Sequence, residues 1–153
     1  IMPSLVGSEM CIRDRDDIRD RRVIEKWVEK LDYTHVFPLL AVVNGRIVGE
    51  GTLHFGKGPY RHIGEVRIFL IKEFRRRGLG TAMLKKLLEI ARKAGLQQVI
   101  AEVLVEQNNV IKAFQKLGFK LKFVREDYFM TPDGVTHDVA VLVNRLVAPK
   151  DVF

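Results

Sequence analysis

The chain has 153 residues, long enough for one domain with a buried core, and its 47% hydrophobic and 29% charged content is that of an ordinary globular fold. No apolar run approaches the roughly 20 residues that a bilayer span needs. The single cysteine, Cys11, excludes an internal disulfide and a cysteine-rich metal site, so a reducing, cytoplasmic setting is expected. Lys plus Arg number 26 against 19 Asp plus Glu, a net charge of +7. That excess admits nucleic acid, but a polyanionic small molecule or plain solubility accounts for it equally well, and it is not assigned to nucleic acid.

Residues 1–15 show no period and lack the basic start and apolar length of a signal peptide. They resemble translated adapter sequence and are expected to be a non-native or disordered arm, with residues 16–153 forming a single domain. Residues 16–31 predict a helix, opened by Asp16 or Asp17 and carrying Ile18, Val23, Trp27 and Leu31 on one face. Residues 37–43 are apolar and rich in strand formers. Asn44-Gly45 then signals a two-residue hairpin, because a type I′ turn needs positive φ at both positions. Residues 46–54 return as a second strand, in which Gly49 and Gly51 mark a bulge or a close approach. After a loop at 55–61, residues 62–71 read as a third strand. The segment from Gly51 to Lys57 matches G-x-x-x-x-G-K, but Gly58 and Pro59 stand where a P-loop requires Ser or Thr and a helix start, so that motif is rejected.

Residues 75–81, Arg-Arg-Arg-Gly-Leu-Gly-Thr, lie between this buried strand and a helix predicted over 81–94. Amides in the first turn of a helix have no internal partner and the helix dipole favours negative charge there, so a strand, a basic glycine turn and a helix start make an anion site. Gly78 and Gly80 permit close approach of the backbone to a ligand. The helix places Met83, Leu84, Leu87, Leu88, Ala91 and Ala94 on one face, and Gly95 is positioned to end it. Residues 99–105 form a short β-branched strand, so strand, helix and strand suggest a parallel crossover. Asn108 or Asn109 is expected to cap a short helix that Gly118 closes. Residues 119–129 and 135–146 predict two strands joined by the turn Thr131-Pro132-Asp133-Gly134. His35, His54, His62 and His137 show no metal-ligand spacing, and no metal is expected.

Arg75-x-x-Gly78-x-Gly80 between strand and helix, followed by Lys116-Leu117-Gly118-Phe119 after a short helix, resembles the two signatures of the GNAT N-acetyltransferase superfamily. The resemblance spans about residues 16–146. It implies an α/β fold: a mixed, mostly antiparallel twisted sheet with one splayed parallel pair and helices on both faces. It further implies acetyl-CoA as co-substrate, whose pyrophosphate would bind at Arg75, Arg76, Arg77, Gly78, Leu79, Gly80 and Thr81, chiefly through backbone amides. The pantetheine arm would pair with Phe69, Leu70 and Ile71, and the Leu70 N–H would serve as oxyanion donor. The implied activity is acetyl transfer to a primary amine, of a small molecule or a peptide, by direct attack, in a monomer or homodimer.

An alkylamine is only about one part in a thousand neutral at pH 7, so a base is needed. Glu65 is the first candidate, in a position where some members of the family carry a glutamate base; the alternative is that it pairs with Arg67 or a cation on the next strand. Glu102 and Glu106 are rivals that could also hold a cationic substrate. The family's proton-donating Tyr, and an Asn seven residues before it, correspond here to Phe114 and Gln107. Phenylalanine has no proton to give, so thiolate leaves unaided, or water, Tyr128 or Tyr60 substitutes, or the protein is a non-catalytic acyl-CoA-binding module. Phe114 is expected against the pantetheine or in the core, and Asn108 is a further cofactor contact.

Overall fold

The computed structural model describes residues 35–147. The helix expected at 16–31, with Trp27, and the arm at 1–15 lie outside that range.

Six strands form one sheet: β1 (Val36–Val43), β2 (Arg46–Phe55), β3 (Ile63–Leu70), β4 (Gln98–Leu104), β5 (Lys120–Met130) and β6 (Thr136–Arg145). Their spatial order is β1-β2-β3-β4-β6-β5. Every neighbouring pair is antiparallel except β3–β4. Two α-helices, α1 (Leu79–Lys93) and α2 (Asn108–Lys116), connect β3 to β4 and β4 towards β5. The sheet topology is the α/β arrangement that the sequence implied.

Local chemistry sets the turns. Asn44 and Gly45 both have positive φ (49° and 75°), as the hairpin turn requires. Thr131 and Gly134 close the β5–β6 turn, with the Gly134 amide donating to the Thr131 carbonyl at 2.8 Å. Both helices end alike. The amide after the glycine reaches back five residues (Leu96 to Ala91 at 3.0 Å, Phe119 to Phe114 at 3.2 Å), and Gly95 and Gly118 adopt φ of 80° and 97°. This is the Schellman arrangement, which favours glycine because a side chain is strained at that φ.

The core lies between α1 and one face of the sheet. Met83, Leu84, Leu87, Leu88 and Ala91 are buried along α1, and each large apolar side chain removed from water contributes about 1.5–3 kcal/mol. A β-carbon at Gly51 would lie 3.0 Å from Leu87, and one at Gly49 would lie 2.5 Å from Leu70. Both glycines are therefore close-approach positions. The bulge anticipated near them falls beside Gly49, where Ala41 pairs with Gly49 but Val42 pairs with Ile47.

Candidate functional site

The site follows from where one hydrogen-bond ladder stops. β3 and β4 pair in parallel only at Ile63–Gln98, Gly64–Val99 and Glu65–Ile100. β3 runs on through residues 66–70 and β4 through 101–104 with no further pairing between them. The two strands splay.

The register shows which groups face that gap. The Ile71 amide donates to the Val48 carbonyl at 3.0 Å, which makes Ile71–Val48 a hydrogen-bonded pair. Hydrogen-bonded and non-hydrogen-bonded pairs alternate along an antiparallel ladder. Gly49 stands opposite Leu70, so the Leu70 N–H and C=O turn away from β2 and towards β4. The carbonyl accepts a hydrogen bond from Arg75 Nε at 3.0 Å, while the amide is directed into the gap. Ile71 corrects the sequence-based expectation: its amide is bound to Val48 and its carbonyl accepts from Phe74 at 3.0 Å, so it has no backbone amide to offer a ligand. Phe69 is fully buried and pairs with Glu50 on the β2 side. Of the three residues, Leu70 alone presents its amide to the gap.

Beyond β3 a short 3-10 turn, Lys72–Phe74, leads into the basic segment. Arg75 is committed to the structure through its bond to Leu70 and its position 5.9 Å above the Phe69 ring. Arg77 lies over Phe74 at 5.5 Å. Arg76 takes φ of 59°, a conformation that costs a non-glycine residue about 1–2 kcal/mol. Such strain is often concentrated at ligand-binding turns. Gly78 has φ of 80° and precedes α1, which starts at Leu79, two residues earlier than expected. Glycine offers no capping side chain and no acid stands in the first turn. The Ala82 amide is the first to bond back into the helix, to the Gly78 carbonyl at 3.0 Å. The amides of Leu79, Gly80 and Thr81 thus point out of the helix start with the positive end of its dipole. These features suit the pyrophosphate of a CoA ester.

The start of α1 opens on a cleft of about 250 Å³, walled by α2 and lined by Thr81, Asn109, Lys112, Ala113, Lys116 and Leu117. Asn109, rather than Asn108, faces this space, and neither caps α2. The N-cap is Gln107, with no side-chain capping bond. Its Oε1 is buried and lacks a hydrogen-bond partner, leaving an acceptor that a ligand amide could satisfy. Phe114 is 1% exposed and meets the Phe119 ring edge to face at 5.0 Å. It belongs to the core and does not form a wall of the cleft.

The opposite face of the sheet carries the acids. In-register partners share a face, so Glu65 and Arg67 on β3 lie on the same side as Ile100 and Glu102 on β4. Glu65 holds Arg67 through both carboxylate oxygens, at 3.2 and 3.4 Å. It also sits at the closed end of the gap, five residues and about 17 Å along an extended strand from Leu70. Glu102 is 8% exposed and lies two residues beyond the last ladder pair, within the splay. Glu106 follows β4 and pairs with His137 Nδ1 at 3.0 Å, a hydrogen bond that holds its carboxyl below the usual range. His137 Nε2 lies 3.3 Å from Thr131 Oγ1. Tyr60 stands in the turn before β3, at the closed end and far from Leu70. Tyr128 lies on β5 beneath Arg125, 4.6 Å from its guanidinium carbon. Among the described residues no group of three or more His, Cys, Asp or Glu could hold a metal ion, and no helix is long and apolar enough to cross a membrane.

Comparisons with known proteins agree with this geometry. A ribosomal-protein-alanine N-acetyltransferase from Brucella melitensis superposes with a TM-score of 0.75 at 21% identity, covering 83% of this chain and 79% of that one. A putative acetyltransferase from Salmonella typhimurium, solved with acetyl-CoA, superposes at 0.74 and 20% identity, over 86% and 79%. In sequence, an uncharacterised N-acetyltransferase from Methanocaldococcus jannaschii is 35% identical over 103 residues, 65% of this chain and 45% of that protein. The ribosomal protein bS18-alanine N-acetyltransferase of Escherichia coli K12 is 32% identical over 62 residues, 40% of this chain and 42% of that protein. The chain spans about half the length of the curated relatives it matches. The sequence pattern of the Acetyltransferase (GNAT) family matches residues 8–119. The chain belongs to the GNAT acetyltransferase family.

Proposed function

We propose that the protein transfers an acetyl group from acetyl-CoA to a primary amine by direct attack. The observation that carries this reading is the β3–β4 ladder ending at Glu65–Ile100, with the Leu70 amide turned into the gap beside an uncapped, acid-free helix start. The amides of residues 79–81 hold the pyrophosphate, and the pantetheine arm lies along the gap as an added strand would.

The Leu70 N–H donates to the thioester oxygen as negative charge develops on it. A fixed amide of this kind is worth about 3 kcal/mol of barrier. Arg75 holds the Leu70 carbonyl and so fixes the orientation of that residue. The amine nitrogen forms a bond to the acetyl carbon, the carbon–sulfur bond breaks, and its electron pair leaves on sulfur. A thiol pKa near 8.5 lets the thiolate depart without the acid that Phe114 cannot supply. The amine's proton goes to a carboxylate on the acidic face. Glu65 is engaged with Arg67 and remote from Leu70, so the role falls to Glu102, buried within the splay.

The relatives that act on ribosomal protein alanine make a peptide α-amine the first acceptor to try. With a pKa of about 8, roughly one α-amine in ten is neutral at pH 7, against fewer than one in a thousand for a lysine side chain. Such an acceptor places a far smaller demand on the base.

The test is release of CoA thiol from acetyl-CoA across a panel of peptides and small amines. Saturable, amine-dependent release is expected. The burial of Phe114 favours a second reading, an acyl-CoA-binding module without turnover, which predicts CoA binding and no amine-dependent release.

A further inference from the structure

CoA carries three phosphate groups, two in the pyrophosphate and a third on the 3′ position of the ribose. The start of α1 accounts for the pyrophosphate alone. The third is a separate dianion on the far side of the ribose, and a protein that tells it apart from a free hydroxyl needs further donors beside the helix start.

Two of the three arginines of the turn are already engaged within the fold. Arg75 is bound to Leu70 and lies over Phe69, and Arg77 lies over Phe74. The cleft beside Thr81 is different. Asn109, Lys112 and Lys116 follow a spacing of three and four residues on α2, which aligns them in one stripe along the cleft wall. Lys112 and Lys116 lie one turn apart, about 6 Å along the helix axis, a span that two flexible ammonium groups close around one phosphate. No acid lines the cleft. Charged residues on an outer helix face are commonplace. On α1, Lys86 and Lys93 pair with Glu89, at 3.3 and 3.1 Å, and Lys85 faces solvent. Among the described residues Lys85, Lys112 and Lys116 pair with no carboxylate, and the two on α2 differ from Lys85 in lining a cleft.

We propose that Lys112 and Lys116 bind the 3′-phosphate of the CoA donor, so that this cleft distinguishes CoA from 3′-dephospho-CoA. The inference rests on the acetyl-CoA reading above and adds to it the residues that select the nucleotide end. Asn109 supplies a neutral donor on the same wall, and Ala113 between the lysines leaves room for the ribose.

Calorimetric titration of CoA and of 3′-dephospho-CoA tests it, on the wild type, Lys112→Gln/Lys116→Gln, Lys112→Arg/Lys116→Arg and Arg76→Gln/Arg77→Gln. All four substituted side chains are exposed, so the fold is expected to be retained, which thermal melting checks. The wild type is expected to favour CoA by about tenfold or more, the scale of a charge-assisted pair. The glutamine pair at 112 and 116 should lose that preference while keeping its affinity for 3′-dephospho-CoA within about twofold. The arginine pair should retain it. Equal binding of both ligands by the wild type would overturn the proposal. So would a Lys112→Gln/Lys116→Gln protein that binds both less well by the same factor, or a preference lost instead in Arg76→Gln/Arg77→Gln. Binding of neither ligand by the wild type would be a different failure, that of the acetyl-CoA reading itself.

Discussion

The two ends of the β3–β4 pair are built from similar residues and do different things. At the closed end, Ile63, Gly64 and Glu65 pair in register with β4 and the backbone is consumed in the sheet. At the open end, Val66, Ile68 and Leu70 are more deeply buried than Ile63 or Glu65, yet their strand pairs with β2 alone. The difference is made by what holds each strand from its other side. Leu70 fits against β2 because Gly49 leaves space for it, and its carbonyl is taken by Arg75. β4 is held through Leu104 by its antiparallel ladder to β6. The opened backbone, rather than an unusual set of side chains, is the feature on which the proposed thioester site rests.

Substitutions that act on one end only separate the two. The largest effect is expected at the helix start. Gly80→Val crowds the amides of the first turn and removes two or more charge-assisted bonds of about 1.5–3 kcal/mol each, so affinity for acetyl-CoA falls at least about a hundredfold. Titration measures this, with circular dichroism to confirm that α1 is retained. Next is the acidic face. Glu102→Gln lowers kcat by about a hundredfold with CoA affinity unchanged, at the low end of the range for a general base. Glu65→Gln, at the closed end, changes kcat less. A larger loss from Glu65→Gln, with a shifted pH profile, would return the base to Glu65.

A smaller effect follows from the seat of Leu70. A β-carbon at Gly49 would stand 2.5 Å from Leu70 Cδ2 and 3.1 Å from the Phe69 carbonyl, so Gly49→Ala costs about 1–3 kcal/mol of stability by overpacking, read by chemical denaturation. Smallest is the Glu106–His137 pair. The hydrogen bond from His137 holds the Glu106 carboxyl low, so its contribution is complete above the ordinary carboxylate range and is lost as pH falls through the depressed value. Glu106 is largely exposed, and His137→Ala therefore lowers stability at neutral pH by about 0.5 kcal/mol or less, with the difference vanishing in acid.

What the sequence revealed and what it concealed follow the range of the forces involved. The glycine turn, both glycine helix ends, the Asn44-Gly45 hairpin and the turn at 131–134 depend on residues a few positions apart, and all were legible. The register of β2 against β3 was not, and that register alone decides that the Leu70 amide enters the gap while the Ile71 amide is spent on Val48. The commitment of Glu65 to Arg67 was visible as one of two alternatives, because strand alternation places them on one face. For Phe114 the sequence admits either cofactor or core, and only the position of Phe119 resolves it. The capping role read into Asn108 and Asn109 failed because the helix starts at Asn108, one residue earlier than a cap at Asn108 would require and two earlier than one at Asn109, with Gln107 at the N-cap. Lys112 and Lys116 gave no signal of their own, since the cleft they line exists only when α2 is laid beside Thr81.

The central claim is that the open end of the β3–β4 pair serves chemistry on a CoA thioester. Steady-state release of CoA thiol from acetyl-CoA, measured against increasing peptide or small-molecule amine, tests it most directly. The account predicts release that saturates with the amine and yields one acetylated amine for each thiol freed. Tight binding of acetyl-CoA with no release above the hydrolytic background for any amine in the panel would contradict it.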